Sequence, residues 1–296
     1  MNGPRVAVIG VPGKWSTEVL ADALEAKTGF RLVIDMADVS ADLSAGALWG
    51  SGVNLCELDG IAVKKIARVY SSDALDRIEL LRLAEAGGAR VFSPVETSVR
   101  MLNRLACTMT LKMAGIPMPK TVVTEDVRSA VRAVRDFGAG VLKPMYSTKA
   151  RGMRVIEADR PDEFVKAEVE TFKNDNPVMY IQEKLPLGGR DYAMVFLGGE
   201  YLGSYARVAR SGAWNTTIDS GGRYERHEPD ARTIALASKA ERLFKMDFTT
   251  VDLADTPNGP VVFEVSAFGG FKGAREGIGI DAADRYADYM VRRAVE

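Results

Sequence analysis

Phe248-Thr249-Thr250-Val251-Asp252-Leu253-Ala254 is followed by Asp255-Thr256-Pro257-Asn258-Gly259 and then by Pro260-Val261-Val262-Phe263-Glu264-Val265-Ser266. Two apolar runs on either side of a Pro-Asn-Gly turn read as a β-hairpin. Side chains alternate along a strand, so Val251 and Leu253 share one face and Asp252 takes the other. On the returning strand Val261, Phe263 and Val265 are expected on one face, with Glu264 and Ser266 on the other. A turn centred near Asn258 sets Asp252 roughly opposite Glu264. Opposed carboxylates on one face repel. Two arrangements relieve this: a divalent cation, for which hard oxygen donors suit Mg²⁺, or solvated edge carboxylates paired with nearby Lys or Arg. The hairpin alone leaves both open.

Working outward, a helix is expected over residues 230–244 and a last one over about 281–294. A second hairpin, Asp191 to Leu197 and Tyr201 to Val208, turns across Gly198-Gly199-Glu200. Further upstream, Ala139 to Lys143 is a strand ending in a lysine. The loop Pro144-Met145-Tyr146-Ser147-Thr148-Lys149-Ala150-Arg151-Gly152 follows it. A lysine at a strand end beside small residues can hold phosphate through charge and backbone N–H groups; such a loop is also compatible with a plain solvated turn. Strands at 153–156 and 178–183 enclose a helix at 161–172. Residues 95–114 read as helix, as two pieces meeting near Asn103, until Gly115-Ile116-Pro117 stops the run. Before that, strands at 6–9, 30–34, 66–70 and 90–92 alternate with helices from Ser16 and over 74–86. This alternation implies a small parallel α/β unit. Gly10 to Thr17 is not a Walker A loop, because Trp15 follows Gly13-Lys14 where Ser or Thr is required.

The chain has 296 residues, 39 Lys and Arg against 40 Asp and Glu, and a formal net charge of -1. This length fits two or three lobes, and the balance argues against a general binder of nucleic acid or anionic membrane. A single histidine, His227, removes His-rich zinc sites and His-Asp relays. It lies in a charged connector and is expected at the solvated surface. Two cysteines, Cys56 and Cys107, make no CxxC and no disulfide framework. The opening apolar run is too short for a signal segment, and a cytoplasmic location is the expectation. Any charge stabilisation must therefore come from Lys, Arg, backbone amides or an oxygen-bound metal.

The order of these parts resembles the ATP-grasp superfamily, its RimK-like amino-acid ligases in particular. The residues carrying the resemblance are Asn103-Arg104, Ala114 to Pro119, Leu142-Lys143-Pro144 with its loop, and Tyr180 to Leu185. They continue through Gly189-Arg190-Asp191, Val251-Asp252-Leu253, Gly259 to Val265 and Ala267 to Gly273. A looser likeness is to ATP-grasp proteins of the so-called GAK gene system. The resemblance implies a mixed α/β and α+β architecture: an ATP-grasp fold after a small parallel α/β (pre-ATP-grasp) domain. The implied division is 1–100 for that domain, 101–185 for the N-terminal ATP-grasp lobe and 186–296 for the C-terminal lobe.

The resemblance further implies ATP and Mg²⁺ as cofactors. Arg104, Lys143 and Ser147 would lie at the phosphates. Gln182, Glu183 and the backbone of Lys184 and Leu185 would take the adenine edge, Asp191 the ribose, and Asn215 a further nucleotide contact. Asp252, Glu264 and Ser266 would form the magnesium shell. Arg207 would face the γ-phosphate and the reacting carboxylate. The implied activity joins a small-molecule or peptide carboxylate to an amine through an acyl phosphate, with Lys272 and Arg275 as substrate contacts or solvated loop residues. No nucleic acid or membrane partner is implied, and the reading leaves room for a homo-oligomer. Arg104 stands where lysine is usual, Ser266 where asparagine is usual, and Ala193 where arginine is common. These departures motivate two other readings: a nucleotide-binding module without turnover, or a small-molecule kinase.

Overall fold

The computed structural model describes residues 3–296. β1 (Val6–Ile9), α1 (Trp15–Thr28) and β2 (Val33–Ile34) open the chain. β3 (Ser40–Asp42), β4 (Ala47–Gly50) and β5 (Val53–Asn54) make a small antiparallel sheet where the sequence suggested only irregular chain. β6 (Gly60–Val63), α2 (Asp73–Glu79), α3 (Leu81–Ala86) and β7 (Arg90–Phe92) complete the parallel unit, whose strand order is β2-β1-β6-β7.

The strand expected at 66–70 is instead at 60–63. Gly60, Ile61, Ala62 and Val63 are all buried between the layers. Gly60 is required there, since a Cβ would stand 2.9 Å from the Phe92 ring. Ile66 and Ala67 are buried as loop above the strand ends, while Val69 is exposed. The apolar content of 66–70 reflects burial of a crossing loop, which periodicity does not separate from a strand.

α4 (Val95–Leu102) and α5 (Arg104–Met113) meet at Asn103 as expected, and the Asn103 side chain caps α5 by accepting from the Ala106 amide at 3.1 Å. β8 (Thr121–Thr124), α6 (Val127–Phe137), β9 (Ala139–Lys143), β10 (Arg154–Glu157), α7 (Asp162–Asp175) and β11 (Met179–Glu183) form the next layer. Its antiparallel sheet runs β10-β9-β11-β8, with α6 and α7 on the apolar face. β12 (Arg190–Leu197), β13 (Glu200–Val208), β14 (Arg223–His227), α8 (Ala231–Glu241), β15 (Phe248–Thr256) and β16 (Gly259–Val265) follow. They build a five-stranded antiparallel sheet, β14-β13-β12-β15-β16. α9 (Phe271–Ile278) and α10 (Ala282–Arg293) end the chain. No helix of the described residues is long and apolar enough to cross a membrane.

Two features position the cleft between these layers. The first is that α10 returns to the N-terminal unit. Ala283, Ala287 and Met290 share a core with Leu20 and Leu24 of α1, and Lys27 pairs with Asp284 at 2.7 Å and Asp288 at 2.8 Å. The second is that α9 lies against the five-stranded sheet through glycines. A Cβ on Gly273 would fall 2.1 Å from the Tyr205 ring, and one on Gly277 would fall 2.6 Å from the Tyr205 Cβ. The rigid ring cannot yield within a packed core. Gly273→Ala is therefore expected to destabilise by about 2 kcal/mol despite alanine's better helix propensity. A urea midpoint unchanged from wild type would disprove this packing.

Candidate functional site

The last sheet presents a row of charges on one face. Arg207 of β13 pairs directly across from Asp191 of β12, Ala193 of β12 from Asp252 of β15, and Asp252 from Glu264 of β16. Directly opposed residues share a face, and so do residues two apart on one strand. The expected register of Asp252 and Glu264 is thus observed. The expected alternation of the returning strand is not. Leu253 pairs with Val262, so Phe263 is an extra residue forming a bulge. Val262 and Val265 are buried in the core, whereas Phe263 and Glu264 both face the cleft.

Arg207 donates through Nε to Asp191 Oδ1 at 3.0 Å and through Nη2 to Asp191 Oδ2 at 2.7 Å, with Asp252 Oδ2 2.9 Å away. Burial works against the guanidinium charge, but Asp252 and Asp191 outweigh it and hold its pKa well above the ordinary value. Asp252 is 8% exposed and is no solvated edge carboxylate. Burial, together with Glu264 and Asp191, pushes its pKa up to about 7 against the pull of Arg207. Its Oδ1 is buried with no hydrogen-bond partner.

Arg104 is the first residue of α5, where a cation meets the positive end of the helix dipole. Acceptors offset this: Pro144 O at 3.1 Å, Ser147 Oγ at 3.2 Å and Glu264 Oε2 at 3.1 Å. One guanidinium thereby ties the loop after β9 to the carboxylate hairpin, using the fork geometry that a lysine lacks.

Lys143 ends β9 with its side chain buried against Gln182 and Phe263. Its ammonium donates to Gln182 Oε1 at 2.5 Å and lies 5.6 Å from the centre of the Phe263 ring. Burial drives its pKa down to about 7. Gln182 is buried, and its Nε2 donates to Thr121 Oγ1 and Tyr180 OH at 3.2 Å each. Its amide oxygen holds the Lys143 ammonium. The Lys184 amide donates to Ala139 O at 3.0 Å, while its ammonium pairs with Glu157 at 2.6 Å. Glu183, at the end of β11, lies 3.5 Å from the Lys120 ammonium, with Leu185 just beyond the strand. Asn215 spends its Oδ1 on Thr217, accepting from the amide at 3.1 Å and the hydroxyl at 2.8 Å, and so shapes its own turn.

Arg104, Ser147, Arg207, Asp252, Glu264 and Ser266 line one cleft of about 570 Å³. Sequence reasoning missed several other residues of its wall: Lys14, Lys64, Lys65 and Tyr70 from the N-terminal unit, and Phe263. A usable signal was the Lys64-Lys65 pair closing the apolar run 60–63. Lys65 has its pKa lowered, by burial first and then by Arg151, Lys149 and Lys14. Among the described residues neither Lys14 nor Lys65 has an ion-pair partner, whereas Lys149 meets Asp219 at 3.0 Å. Lys272 lines the cleft from α9, not from a loop, 3.6 Å from Glu276; Arg275 sits 5.8 Å from the Trp15 ring. His227 is not a solvated connector residue. It is on β14, stacked on Tyr192 at 3.8 Å with Nδ1 2.8 Å from Ser204 Oγ, and burial lowers its pKa. It does not line the cleft.

Among the described residues no group of three or more His, Cys, Asp and Glu gathers at one point. The oxygen donors that the hairpin offers to the cleft are Asp252, Glu264 and Ser266. This set fits Mg²⁺, which takes one or two carboxylates and completes its shell with water and phosphate oxygens. The orphaned Asp252 Oδ1 is the atom such an ion would satisfy.

The chain is similar to known proteins over most of its length. The chain is 25% identical to tetrahydromethanopterin:alpha-L-glutamate ligase of Methanosarcina acetivorans, covering 94% of this chain and 96% of that one. It is also 25% identical to a probable alpha-L-glutamate ligase of Cellvibrio japonicus, over 95% and 92% of the two chains. In fold it matches the ATP-grasp ligase PsnB, complexed with a phosphomimetic variant of its minimal precursor, Mg and ADP. That match has a TM-score of 0.76 at 18% identity and covers 99% and 100% of the two chains. The family model for the RimK-like ATP-grasp domain matches residues 101–290, and the chain belongs to that family.

Proposed function

We propose that the protein is an ATP- and Mg²⁺-dependent ligase that joins a carboxylate to an amine. The observation carrying this reading is the charge row Arg207, Asp191, Asp252 and Glu264, of which Arg207, Asp252 and Glu264 line the same cleft as the cations Lys14 and Lys65. A substrate carboxylate oxygen attacks the γ-phosphorus, the bond to the bridging oxygen breaks, and ADP leaves. The amine then attacks the acyl carbon, the C–O bond to phosphate breaks, and the nitrogen loses its proton. Arg104 and Arg207 stabilise charge on the transferring phosphoryl group, and orientation supplies much of the remainder. Asp252 and Glu264, with Ser266, would hold magnesium, which when bound neutralises charge on the phosphates. Gln182, Glu183 and the backbone of Lys184 and Leu185 are the candidates for the adenine edge, and Lys143, beside Gln182, for the phosphates. The lysines of the N-terminal wall suit an anionic substrate, of the kind that the names of the glutamate-ligase relatives describe.

The test supplies ATP, Mg²⁺ and candidate carboxylate–amine pairs, and follows ADP and free phosphate together. Equal release of both with amide formation is the expected result. ADP without free phosphate indicates transfer to an acceptor and removes the ligase reading. Nucleotide binding with no ADP on any pair removes turnover altogether.

Lys143 adds a second measurable consequence. A lysine with a pKa of about 7 is largely neutral at pH 8, and a phosphate neighbour favours its charged form. ATP binding at pH 8 is therefore expected to take up close to one proton. Calorimetry in buffers of different ionisation enthalpy reads this directly. Equal apparent heats in all buffers, or uptake unchanged in Lys143→Met, would exclude Lys143 from the phosphate site.

A further inference from the structure

The loop after β9 is held from two sides of the cleft. Its first half is tied to the junction of α4 and α5: Arg104 donates to Pro144 O and Ser147 Oγ, and Asn103 Nδ2 donates to Tyr146 OH at 3.3 Å. Its second half pairs with the connection between β13 and β14. The Lys149 ammonium donates to both oxygens of Asp219, at 3.0 Å and 3.2 Å, and Arg151 Nη2 lies 3.9 Å from the same carboxylate. Lys149, Arg151 and Asp219 are all exposed, and all line the cleft that holds Asp252 and Glu264.

The two partners differ in how firmly they are built. Asp219 sits on a short 3₁₀ turn, Ile218–Ser220. That turn is braced by its own side chains: Asn215 Oδ1 accepts from the Thr217 amide and hydroxyl, and the same hydroxyl lies 2.9 Å from Ser220 Oγ. Lys149 and Ala150, by contrast, are consecutive non-glycine residues in the left-handed region, at φ +60° and +58°. Such residues cost free energy and persist where their surroundings hold them. The pairing with Asp219 ties this strained stretch to the opposite sheet. Charge shows what the pairing stands in for. Lys14, Lys65, Lys149 and Arg151 line one cleft, close enough that the other three add to burial in lowering the Lys65 pKa. Among the described residues Asp219 is the one carboxylate within ion-pair distance of any of the four. One carboxylate among four cations leaves a positive field, and an exposed ion pair is weak enough for a stronger anion to displace.

We infer that Lys149 and Arg151 form a phosphate-binding arm of the cleft, and that Asp219 occupies this arm in the nucleotide-free protein as an autoinhibitory anion. The inference rests on the reading of the cleft as a nucleotide site and adds to it a group that opposes binding. A triphosphate takes both cations, the Asp219 carboxylate is repelled toward solvent, and the loop is released from its left-handed conformation. Asp219 thereby favours ligands carrying several negative charges, since a singly charged anion meets a competitor of equal charge already in place.

The test is calorimetric titration of the full chain with the magnesium complex of a non-hydrolysable ATP analogue, without carboxylate or amine substrate. Asp219→Asn is expected to bind it about fivefold more tightly than wild type, the scale of one exposed ion pair. Lys149→Met combined with Arg151→Met should bind it about tenfold more weakly. Adding Asp219→Asn to that double variant should give no gain, because the cations it competes for are gone. Asp219→Ala repeats the measurement without a residual hydrogen-bond acceptor and should match Asp219→Asn. Affinity unchanged or weakened in both Asp219 variants overturns the proposal. So does a gain of the same size with and without Lys149 and Arg151, which would make Asp219 a general source of negative field. In either case wild-type binding leaves the nucleotide reading standing. Binding by none of these proteins removes that reading and this inference with it.

Discussion

Asp252→Asn combined with Glu264→Gln is expected to lower magnesium-dependent turnover by about 10³-fold while the protein stays folded. The expected stability change is the more diagnostic half. Asp252 is a buried carboxylate whose charge is opposed by desolvation and by Glu264 and Asp191, with Arg207 only partly compensating. Its folded pKa is raised to about 7, so the folded protein holds the proton more tightly than the unfolded chain does. Stability from this group is full below the unfolded carboxylate value, about 3.9, and is lost as pH rises through about 7. Asparagine removes that loss, so at pH 7 the nucleotide-free variant is expected to equal or exceed wild type by about 1 kcal/mol. Glu264→Gln adds little cost, because Arg104 keeps Pro144 O and Ser147 Oγ as acceptors. Denaturant unfolding at pH 5 and pH 7, with ADP release on the same samples, checks both halves. Full activity, or a variant much less stable than wild type, would refute the view that these carboxylates are held against their own repulsion for a cation.

The same residues show how far sequence carries. The Pro-Asn-Gly turn specifies a hairpin that pairs Thr256 with Gly259 and Leu253 with Val262; that register alone would set Phe263 opposite Asp252, and a bulge brings Glu264 there instead. The bulge at Phe263 was not legible: Val261-Val262-Phe263 is uniformly apolar, so alternation has no polar residue to mark where the strand slips. Arg104 could be named as a cleft cation, but its three-way anchoring to Pro144, Ser147 and Glu264 depends on contacts 40 to 160 residues apart. Gln182 illustrates a different limit. A polar residue at a strand end is legible, whereas its contacts with Tyr180, Thr121 and Lys143 arise only in the folded sheet. His227 was misplaced because Arg223 to Glu228 carries the charge of a connector, while β14 forms as an edge strand of the sheet, where charged side chains are tolerated. The strand at 60–63 was passed over for 66–70 because both are apolar, and only parallel pairing with β1 and β7 separates them.

Arg207 is the residue whose loss should cost most in stability. It is the shared counter-ion of two buried carboxylates, bidentate to Asp191 and 2.9 Å from Asp252. Arg207→Met leaves both uncompensated, and breaking a buried pair in this way costs about 3–5 kcal/mol. Part of that cost is relieved by protonation, so the variant should be less impaired at pH 5 than at pH 8. Arg207→Lys separates folding from chemistry. An ammonium restores the charge between the carboxylates but cannot hold Asp191 through two parallel bonds. The lysine variant is therefore expected to recover most of the stability while remaining about 10²-fold below wild type in turnover, through kcat more than KM. On that outcome the charge row is a positioned unit: Asp191 orients Arg207, Arg207 restrains Asp252, and the free Oδ1 of Asp252 is the atom that would hold a cation. A lysine variant with wild-type kcat would reduce Arg207 to a structural counter-ion. A methionine variant as stable as wild type at pH 8 would show that the two carboxylates do not depend on it.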